Sequence, residues 1–166
     1  FIPRIRSWQQ QGKIITGATL YREVAREWLL RDKEKQSFQP EDKQRLASDL
    51  AAHLWRSGQR GMRAKALEDW LDAWLGQLPP HATVLQKPRE LLHQDLRNAT
   101  FLKRSDGEKL EDSRFEFAHT SLQEFFLAHA LFDALQRAAE QPEAATSARQ
   151  QWVLPRHIHR SFFSLE

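Results

Sequence analysis

The sequence predicts a mainly α-helical fold that carries a small β-hairpin. Over most of the chain, apolar side chains recur every three or four residues, which is the spacing of helices that bury one face. In residues 114–119 the spacing changes to alternation, because Phe115 and Phe117 are flanked by charged side chains. The content of 40% hydrophobic and 28% charged residues is typical of a folded globular chain.

The first predicted helix follows Thr16 and ends at the polar residues 31–36. Thr16 is a favourable N-cap, and Ile15 and Leu20 have the spacing of a hydrophobic staple across it. The face expected to be buried consists of Leu20, Tyr21, Val24, Ala25, Trp28 and Leu29.

Pro40, Glu41 and Asp42 mark the start of the second predicted helix, and Gly58 marks its end. Its apolar stripe consists of Leu46, Ala47, Leu50, Ala51 and Leu54. A third helix over about residues 64–77 has the most pronounced apolar face and is closed by a pair of prolines. That face consists of Leu67, Trp70, Leu71, Trp74, Leu75 and Leu78.

A shorter helix over about residues 88–98 leads into the hairpin and is expected to bury Leu92 and Leu96. The hairpin strands are predicted over residues 100–104 and 114–119, joined by a stretch rich in turn-forming residues. This change of period separates the helical part of the chain from its small sheet.

The last helix is predicted over about residues 121–139. Thr120 with Gln123, or Ser121 with Glu124, has the spacing of a capping box at its start. A polar, alanine-rich stretch follows the helix.

From residue 37 onward the chain is predicted to form three helices, a β-hairpin and a further helix. This is the element order of a winged-helix domain. We therefore divide the chain into residues 1–36, which belong to a preceding helical domain, residues 37–140, which form the winged helix, and residues 141–166, which are a linker and the start of a following element. The chain begins with Phe1 and stops soon after an apolar pair, so we expect a longer protein to continue it at both ends.

Composition narrows the class of protein. Cysteine is absent, which excludes a disulfide scaffold and thiolate metal sites and is compatible with the cytoplasm, where we expect the protein. No apolar run is long enough to span a bilayer and no secretory signal opens the chain, so we expect no membrane contact. The net charge of +3, with both signs interspersed, does not by itself indicate nucleic-acid binding.

The sequence offers no catalytic residue. Gly12 and Lys13 are followed by Ile14, so the glycine-rich loop ending in Lys and Ser or Thr that cradles phosphates is missing. No serine has the setting of a nucleophile elbow. We therefore predict that this chain is not an enzyme and holds no cofactor on its own.

Metal and acid–base sites are not expected either. His157 and His159 come nearest to a metal-binding pattern, and we interpret them as two polar side chains beside a chain end. The paired carboxylates at residues 68–69 and 111–112 are expected on solvated polar faces or in a turn, and not as a general acid and base.

His119 has a chemically favourable position. It ends a strand expected to be buried and directly precedes a helix, where free N–H groups and the positive end of the helix dipole favour anions. An imidazole there can donate a hydrogen bond to an anion, or it can be a structural histidine bonded within the fold. The position alone leaves both interpretations open.

Residues 115–128 read Phe-Glu-Phe-Ala-His-Thr-Ser-Leu-Gln-Glu-Phe-Phe-Leu-Ala. This segment closely resembles the signature of NACHT winged-helix domains, Phe-x-Phe-x-His-x-Ser/Thr-x-Gln-Glu-Phe-Phe-x-Ala. Weaker similarities precede it in the family's order. Leu20-Tyr21 with Trp28-Leu29 resembles the helix that ends the lid subdomain, residues 47–54 resemble the next helix, and residues 99–102 resemble the lead into the hairpin. Together they cover about residues 16–140.

The resemblance implies that the chain is the tail of the helical lid and the winged-helix domain of a STAND-class ATPase. That class includes animal NOD-like receptors and bacterial anti-phage defence proteins, so a role in signalling or innate defence is expected. A NACHT nucleotide-binding module, with ATP or ADP and Mg²⁺, would precede the chain, and a sensor domain would follow it. ADP would hold the parent protein closed, and exchange for ATP would permit it to form a homo-oligomer.

By motif position, the resemblance assigns the contact with the ADP β-phosphate to His119. The surrounding motif residues are expected to support the site structurally: Phe115, Phe117, Phe125 and Phe126 by fixing the second strand against the last helix, with Ser121, Gln123 and Glu124 in the first helical turn. Gln123 and Glu124 can bond the free N–H groups there. His129 interrupts an apolar face, and we expect it to be buried and hydrogen-bonded.

A DNA-binding winged helix is the alternative function. The helix over residues 88–98 would then enter the major groove and the wing would face phosphates. The base-reading side chains would be Arg89, Gln94, Arg97 and Asn98, and the phosphate contacts Lys103, Arg104 and Lys109. Acids on the same surfaces oppose this function, namely Glu90, Asp95, Asp106, Glu108, Glu111 and Asp112. Nucleic acid is therefore not the expected partner; a passive helical scaffold is a third hypothesis, favoured if the parent lacked a phosphate loop.

Overall fold

The computed structural model describes residues 7–8, 10–12, 14–30, 37–99, 101–105 and 113–140. The helices are α1 (Gly17–Leu30), α2 (Pro40–Arg56), α3 (Ala64–Leu75), α4 (Arg89–Arg97) and α5 (Thr120–Glu140), with a 3-10 turn at Thr83–Gln86. The strands are β1 (Gly61–Arg63), β2 (Leu102–Ser105) and β3 (Arg114–Phe117). The prediction of a mainly helical fold with a small antiparallel β-structure is confirmed.

The sheet has three strands, one more than the predicted hairpin. β3 lies in the centre, and β1 and β2 pair with its two edges, both antiparallel to it. The sequence pattern does not reveal β1, because three residues are too few to show alternation and the first is a glycine, which is depleted in strands. Glycine is required at position 61, since a Cβ there would lie 2.3 Å from the carbonyl oxygen of Phe115.

Along the chain the elements follow the order α2, β1, α3, α4, β2 and β3, and in the sheet the strands follow the order β1-β3-β2. The strands differ slightly from the prediction: β2 begins two residues later, and β3 ends at Phe117 because His119 already belongs to the start of α5. Most of the predicted turn and the rest of the hairpin connection, residues 106–112, lie outside the described residues, as do residues 141–166.

The predicted helix ends agree with the structure to within about two residues. At the start of α1, the N–H group of Thr19 donates to the Thr16 hydroxyl oxygen over 3.1 Å, so Thr16 is the N-cap that the sequence indicates. Pro40 is the first residue of α2, and Gly58 follows its end with a φ of 66°. None of the helices in the described ranges is both long and apolar enough to cross a membrane.

A single core joins the helices to the sheet, and its most extensive contact is between α2 and α5. The predicted stripe of α2, nearly all of that of α3, and Leu92 and Leu96 of α4 are buried. In α1, Ala25 and Leu29 are buried, but Tyr21 is 37% exposed, so its predicted burial is wrong. Tyr21 lies one turn before Ala25, and its phenol tolerates water at the edge of a packed face. The predicted burial of Trp28 lies outside the described side chains.

Polar contacts fix α1 and α3 on α2. The amine of the buried Lys43 donates to the carbonyl oxygen of Leu29 at the end of α1, over 3.4 Å. The indole N–H of Trp74 in α3 donates to Oδ2 of Asp49 over 2.8 Å. Both neighbours therefore hold α2, whose C-terminal end borders the site described next.

Candidate functional site

A cavity of about 560 Å³ opens between the end of α2, the sheet and the first turn of α5. Three stretches of chain that are distant in sequence meet there. The lining residues are Leu54, Trp55, Gly58, Gln59 and Arg60 from α2 and the loop after it, Lys103, Glu116 and Phe117 from the sheet, and Ala118, His119, Thr120, Gln123 and Glu124 from the start of α5.

The wall contributed by α2 has a rigid backbone. Gly58 adopts the left-handed conformation, with a φ of 66°. Its N–H group donates to the carbonyl oxygen of Trp55 over 3.1 Å, and the N–H group of Gln59 donates to that of Leu54 over 2.9 Å. These two bonds and the positive φ define a Schellman motif, in which glycine is strongly preferred. The motif turns the chain directly from α2 into β1.

The opposite wall is the junction between β3 and α5. The N–H group of Ala118 donates to the carbonyl oxygen of Phe101 over 2.9 Å, which ties the strand exit to the residue before β2. The carbonyl oxygen of His119 accepts from the N–H groups of Leu122 and Gln123 over 3.0 and 3.2 Å. His119 is therefore the N-cap residue of α5.

This position corrects the predicted capping box. Thr120 and Ser121 belong to the helix itself, one and two residues after the cap, so neither can serve as its N-cap. The side chains of Ser121, Gln123 and Glu124 form no hydrogen bond with the described residues. Ser121 is half-buried, while Gln123 and Glu124 line the cavity instead of bonding the first helical turn.

The imidazole of His119 lies at the cavity and is exposed. It forms no hydrogen bond, ion pair or ring contact with any residue that the structure describes. Of the two interpretations left open by the sequence, a structural histidine bonded within the fold therefore finds no support among these residues. Its side chain is available to a group outside the domain.

Aromatic residues behind β3 pack the strand against α5. Phe117 and Phe126 have ring centroids 6.1 Å apart, and Phe101 lies 5.8 Å from Phe117 and 6.0 Å from Phe126. All three are buried, and we refer to them as the aromatic cluster. Phe115 is buried as well. The direction in which the chain leaves β3 is thus fixed immediately before His119.

Phe125 lies at the edge of the core, and its neighbour His129 departs from the expectation. Phe125 is only half-buried; its ring packs edge-on against Phe126 at 5.5 Å and against the imidazole of His129 at 4.7 Å. His129 is half-buried and forms no hydrogen bond with the described part of the chain, so the prediction of a buried, hydrogen-bonded histidine is wrong. Contact with an aromatic ring replaces that hydrogen bond.

Most of the residues that line the cavity were not predicted as site residues, among them Trp55, Gln59, Arg60, Lys103 and Glu116. Lys103 and Glu116 are cross-strand partners, and their amine and carboxylate lie 3.0 Å apart. Arg60 is exposed and forms no ion pair or hydrogen bond with described residues. Recognition of β1 would have revealed Gln59 and Arg60, because its register, continued toward the N-terminus, brings residues 58–60 alongside the exit of β3.

The surface proposed for DNA reading is occupied by internal ion pairs. Arg89 lies 3.2 Å from a carboxylate oxygen of Asp72, and Arg97 pairs with Glu68. Glu68 is therefore partly buried in an ion pair and does not lie on a solvated face as predicted. Gln94 and Asn98 are exposed.

One acid of α4 and the basic residues of the hairpin also form contacts within the fold. A carboxylate oxygen of Asp95 accepts from the backbone N–H group of Ser37 over 2.5 Å. In the hairpin, the guanidinium of Arg104 donates to the hydroxyl oxygen of the fully buried Ser113 over 2.6 Å. Among the cations proposed to contact DNA, Arg89, Arg97, Lys103 and Arg104 thus all have a partner within the fold. Lys109 lies outside the described residues.

Within the described ranges, no group of three His, Asp or Glu side chains could hold a metal ion. His157, His159 and the carboxylates at residues 111–112 lie outside those ranges. No family model, curated protein or solved structure matches this chain.

Proposed function

We propose that this chain is a regulatory winged-helix module of a NACHT-type signalling ATPase, and that it helps to hold the ADP-bound, autoinhibited form of that protein. His119 is the residue that contacts the β-phosphate of ADP. One observation carries the proposal: within a segment that resembles the NACHT signature, His119 is exposed at the cavity and has no partner among the described residues.

The electrostatics of the helix start support an anion at this place. α5 has 21 residues, and the N–H groups of Thr120 and Ser121 have no backbone acceptor within the described residues. Free N–H groups and the positive end of the helix dipole favour a phosphate. The imidazole of His119, on the N-cap residue, can add a side-chain donor to these backbone N–H groups.

The chain supplies one wall of the nucleotide site and not the whole of it. The phosphate loop and the Mg²⁺ ligands belong to the NACHT module that precedes it in the parent protein, and a sensor domain follows. Release of the His119 contact, when ATP replaces ADP, permits the parent to open and form a homo-oligomer. The setting is cytoplasmic signalling or anti-phage defence.

The isolated chain is expected neither to hydrolyse ATP nor to bind it tightly. It has no phosphate loop, and the carboxylate that would hold Mg²⁺ lies elsewhere in the parent. Titration calorimetry of the 166-residue chain with ATP and Mg²⁺ tests this expectation. A micromolar affinity would contradict it.

The decisive experiment changes His119 to Ala or Leu in the parent protein. The variant loses one polar or charge-assisted hydrogen bond from the closed state only, worth about 1.5–3 kcal/mol. The equilibrium between closed and open forms then shifts roughly ten- to a hundredfold toward the open form. ADP release is faster, and the parent signals without its trigger.

His81→Ala is the matched control, because His81 is also exposed but does not line the cavity. An unchanged rate of ADP release in a well-folded His119 variant would refute the assignment. DNA reading by α4 is not proposed, since Arg89 and Arg97 are paired with acids of α3. A salt-dependent gel shift on generic duplex DNA distinguishes the two functions, and we expect no shift.

A further inference from the structure

We propose that Arg60 is a second phosphate-binding side chain of this cavity, so that a diphosphate is held between Arg60 and His119. The inference rests on the proposed function, because it takes the cavity as a phosphate site. It adds a residue that lies outside the motif and a preference for two linked phosphates over one.

The backbone of Arg60 is fixed on both sides. On its N-terminal side the Schellman motif of Gly58 ends α2. On its C-terminal side Gly61 pairs with Glu116 at a distance so short that no side chain fits between them. Residues 58–60 directly precede β1. When the antiparallel register is continued toward the N-terminus, they lie alongside the residues that lead from β3 to His119.

The charges of the cavity single out Arg60 as its available cation. Two basic side chains line the cavity apart from the histidine, Arg60 and Lys103. The amine of Lys103 lies 3.0 Å from the carboxylate of Glu116, so its charge is compensated within the fold. The guanidinium of Arg60 has no such partner among the residues described.

The chemistry of the two side chains suits a diphosphate. A guanidinium offers parallel N–H donors that match two oxygens of one phosphate group. The imidazole of His119 offers one donor from the other wall and is sufficient for the second group. A diphosphate offers one phosphate group to each of these two side chains.

Glu124 opposes anion binding in the same cavity, and this gives the inference a second test. Its carboxylate lines the cavity from the first turn of α5 and has no ion pair with any described residue. Like charge next to a phosphate weakens its binding. Removing the charge of Glu124 is therefore expected to strengthen binding, which is the opposite of the effect at Arg60.

The experiment is a titration of the 166-residue chain with inorganic pyrophosphate, and in parallel with orthophosphate, followed by NMR at about 0.1 M salt. We expect pyrophosphate to bind in the millimolar range and to shift the side-chain signals of His119 and Arg60. Arg60→Gln and His119→Gln are each expected to weaken it about tenfold, and Glu124→Gln to strengthen it about threefold. Orthophosphate is expected to bind more weakly than pyrophosphate.

Arg63→Gln is the matched control: it removes the same charge three positions away, from an exposed side chain that does not line the cavity. Its affinity should equal that of the unchanged chain. Thermal unfolding of each variant verifies that it is folded.

If Arg60→Gln binds pyrophosphate unchanged while His119→Gln is weakened, the inference is wrong and the proposed function stands. If neither change affects binding, both are wrong. An equal loss in Arg60→Gln and Arg63→Gln would mean nonspecific attraction by positive charge, which also overturns the inference. A gain in Arg60→Gln or a loss in Glu124→Gln would contradict the assigned charges.

Discussion

The aromatic cluster and the cavity are neighbouring regions that share one strand exit, yet their side chains have opposite environments. Phe117 is 4% exposed and packs between Phe101 and Phe126, whereas His119, two residues later, is exposed and has no partner in the described chain. The cluster packs within the core, whereas the polar side chain of His119 at the cavity has no partner among the described residues. The contrast shows that one short segment can serve the core at Phe117 and leave the side chain two residues later exposed.

The largest effect should separate the two regions by stability. Phe117→Ala removes a buried ring from the aromatic cluster and is expected to lower the free energy of unfolding by about 3–5 kcal/mol. His119→Ala removes an exposed side chain, and its effect on the same quantity should stay within about 0.5 kcal/mol. Denaturant unfolding of both variants measures the difference.

An unchanged denaturation midpoint for Phe117→Ala would show that this ring is not part of the core. A large loss for His119→Ala would show that the imidazole has an internal role. Either outcome removes the contrast between cluster and cavity.

A smaller effect on stability is expected at Gly61, where the loop of residues 58–60 joins β1. Gly61→Ala introduces a Cβ at 2.3 Å from a backbone oxygen of β3, and the strands must separate to accept it. We expect a loss of about 2–3 kcal/mol in the free energy of unfolding. Because Arg60 directly precedes β1, a shift of this strand should move Arg60, and pyrophosphate binding should weaken as well.

Gly76→Ala is the control for this change. It lies at the end of α3, where the nearest atom to an added Cβ is 3.4 Å away, and its φ of −66° is available to any residue. Its effect should stay within about 0.5 kcal/mol. Equal stability of the two variants would contradict the tight pairing of β1 with β3.

The smallest effect concerns the pH dependence of stability. Burial, and to a lesser degree the charge of Arg56, lowers the pKa of His53 from its ordinary value near 6.5; its ring lies 5.9 Å from that of Trp70. The folded state therefore prefers the neutral imidazole, and the unfolded state takes up the proton first. The stabilisation is complete above pH 6.5 and is lost as the pH falls below it.

The measurement is the free energy of unfolding at pH 7.5 and 5.5 for the unchanged chain and for His53→Gln. The variant should lose less stability on acidification than the unchanged chain, because its side chain does not titrate. Identical pH profiles for the unchanged chain and His53→Gln would contradict this assignment.

The helices and the aromatic cluster could be predicted from the sequence because their signals are local. Caps such as Thr16, breakers such as Gly58 and the spacing of Leu67, Leu71 and Trp74 each lie within a few residues of the structure they specify. The predicted burial of Tyr21 is wrong because helical spacing shows which side of a helix faces the core. It does not show how far along the helix the core extends.

Of the residues that line the cavity, the motif named Phe117, His119, Gln123 and Glu124, all from one segment of the chain. Arg60 lines the cavity because β1 pairs with β3, and a strand of three residues is too short to show alternation in the sequence. Lys103 lines it because the register of the hairpin places it opposite Glu116, and the predicted strands did not include that register. The N-cap of α5 was displaced by one position from Thr120 to His119, because the alternating pattern extended the strand too far. Gln123 and Glu124 fit a capping motif in sequence, but the shifted cap turns them toward the cavity.

The pairing of Gly61 with Glu116 has a consequence for synthesis of the protein. Roughly 50 residues separate the two strands, so this contact closes a long loop and forms only after the helices between them have been made. A nascent chain on the ribosome that has released α1 to α4 still lacks the wall formed by β3 and α5. The phosphate site that we propose is therefore complete only once β3 and α5 have been made, and we expect no phosphate binding by folding intermediates that lack them.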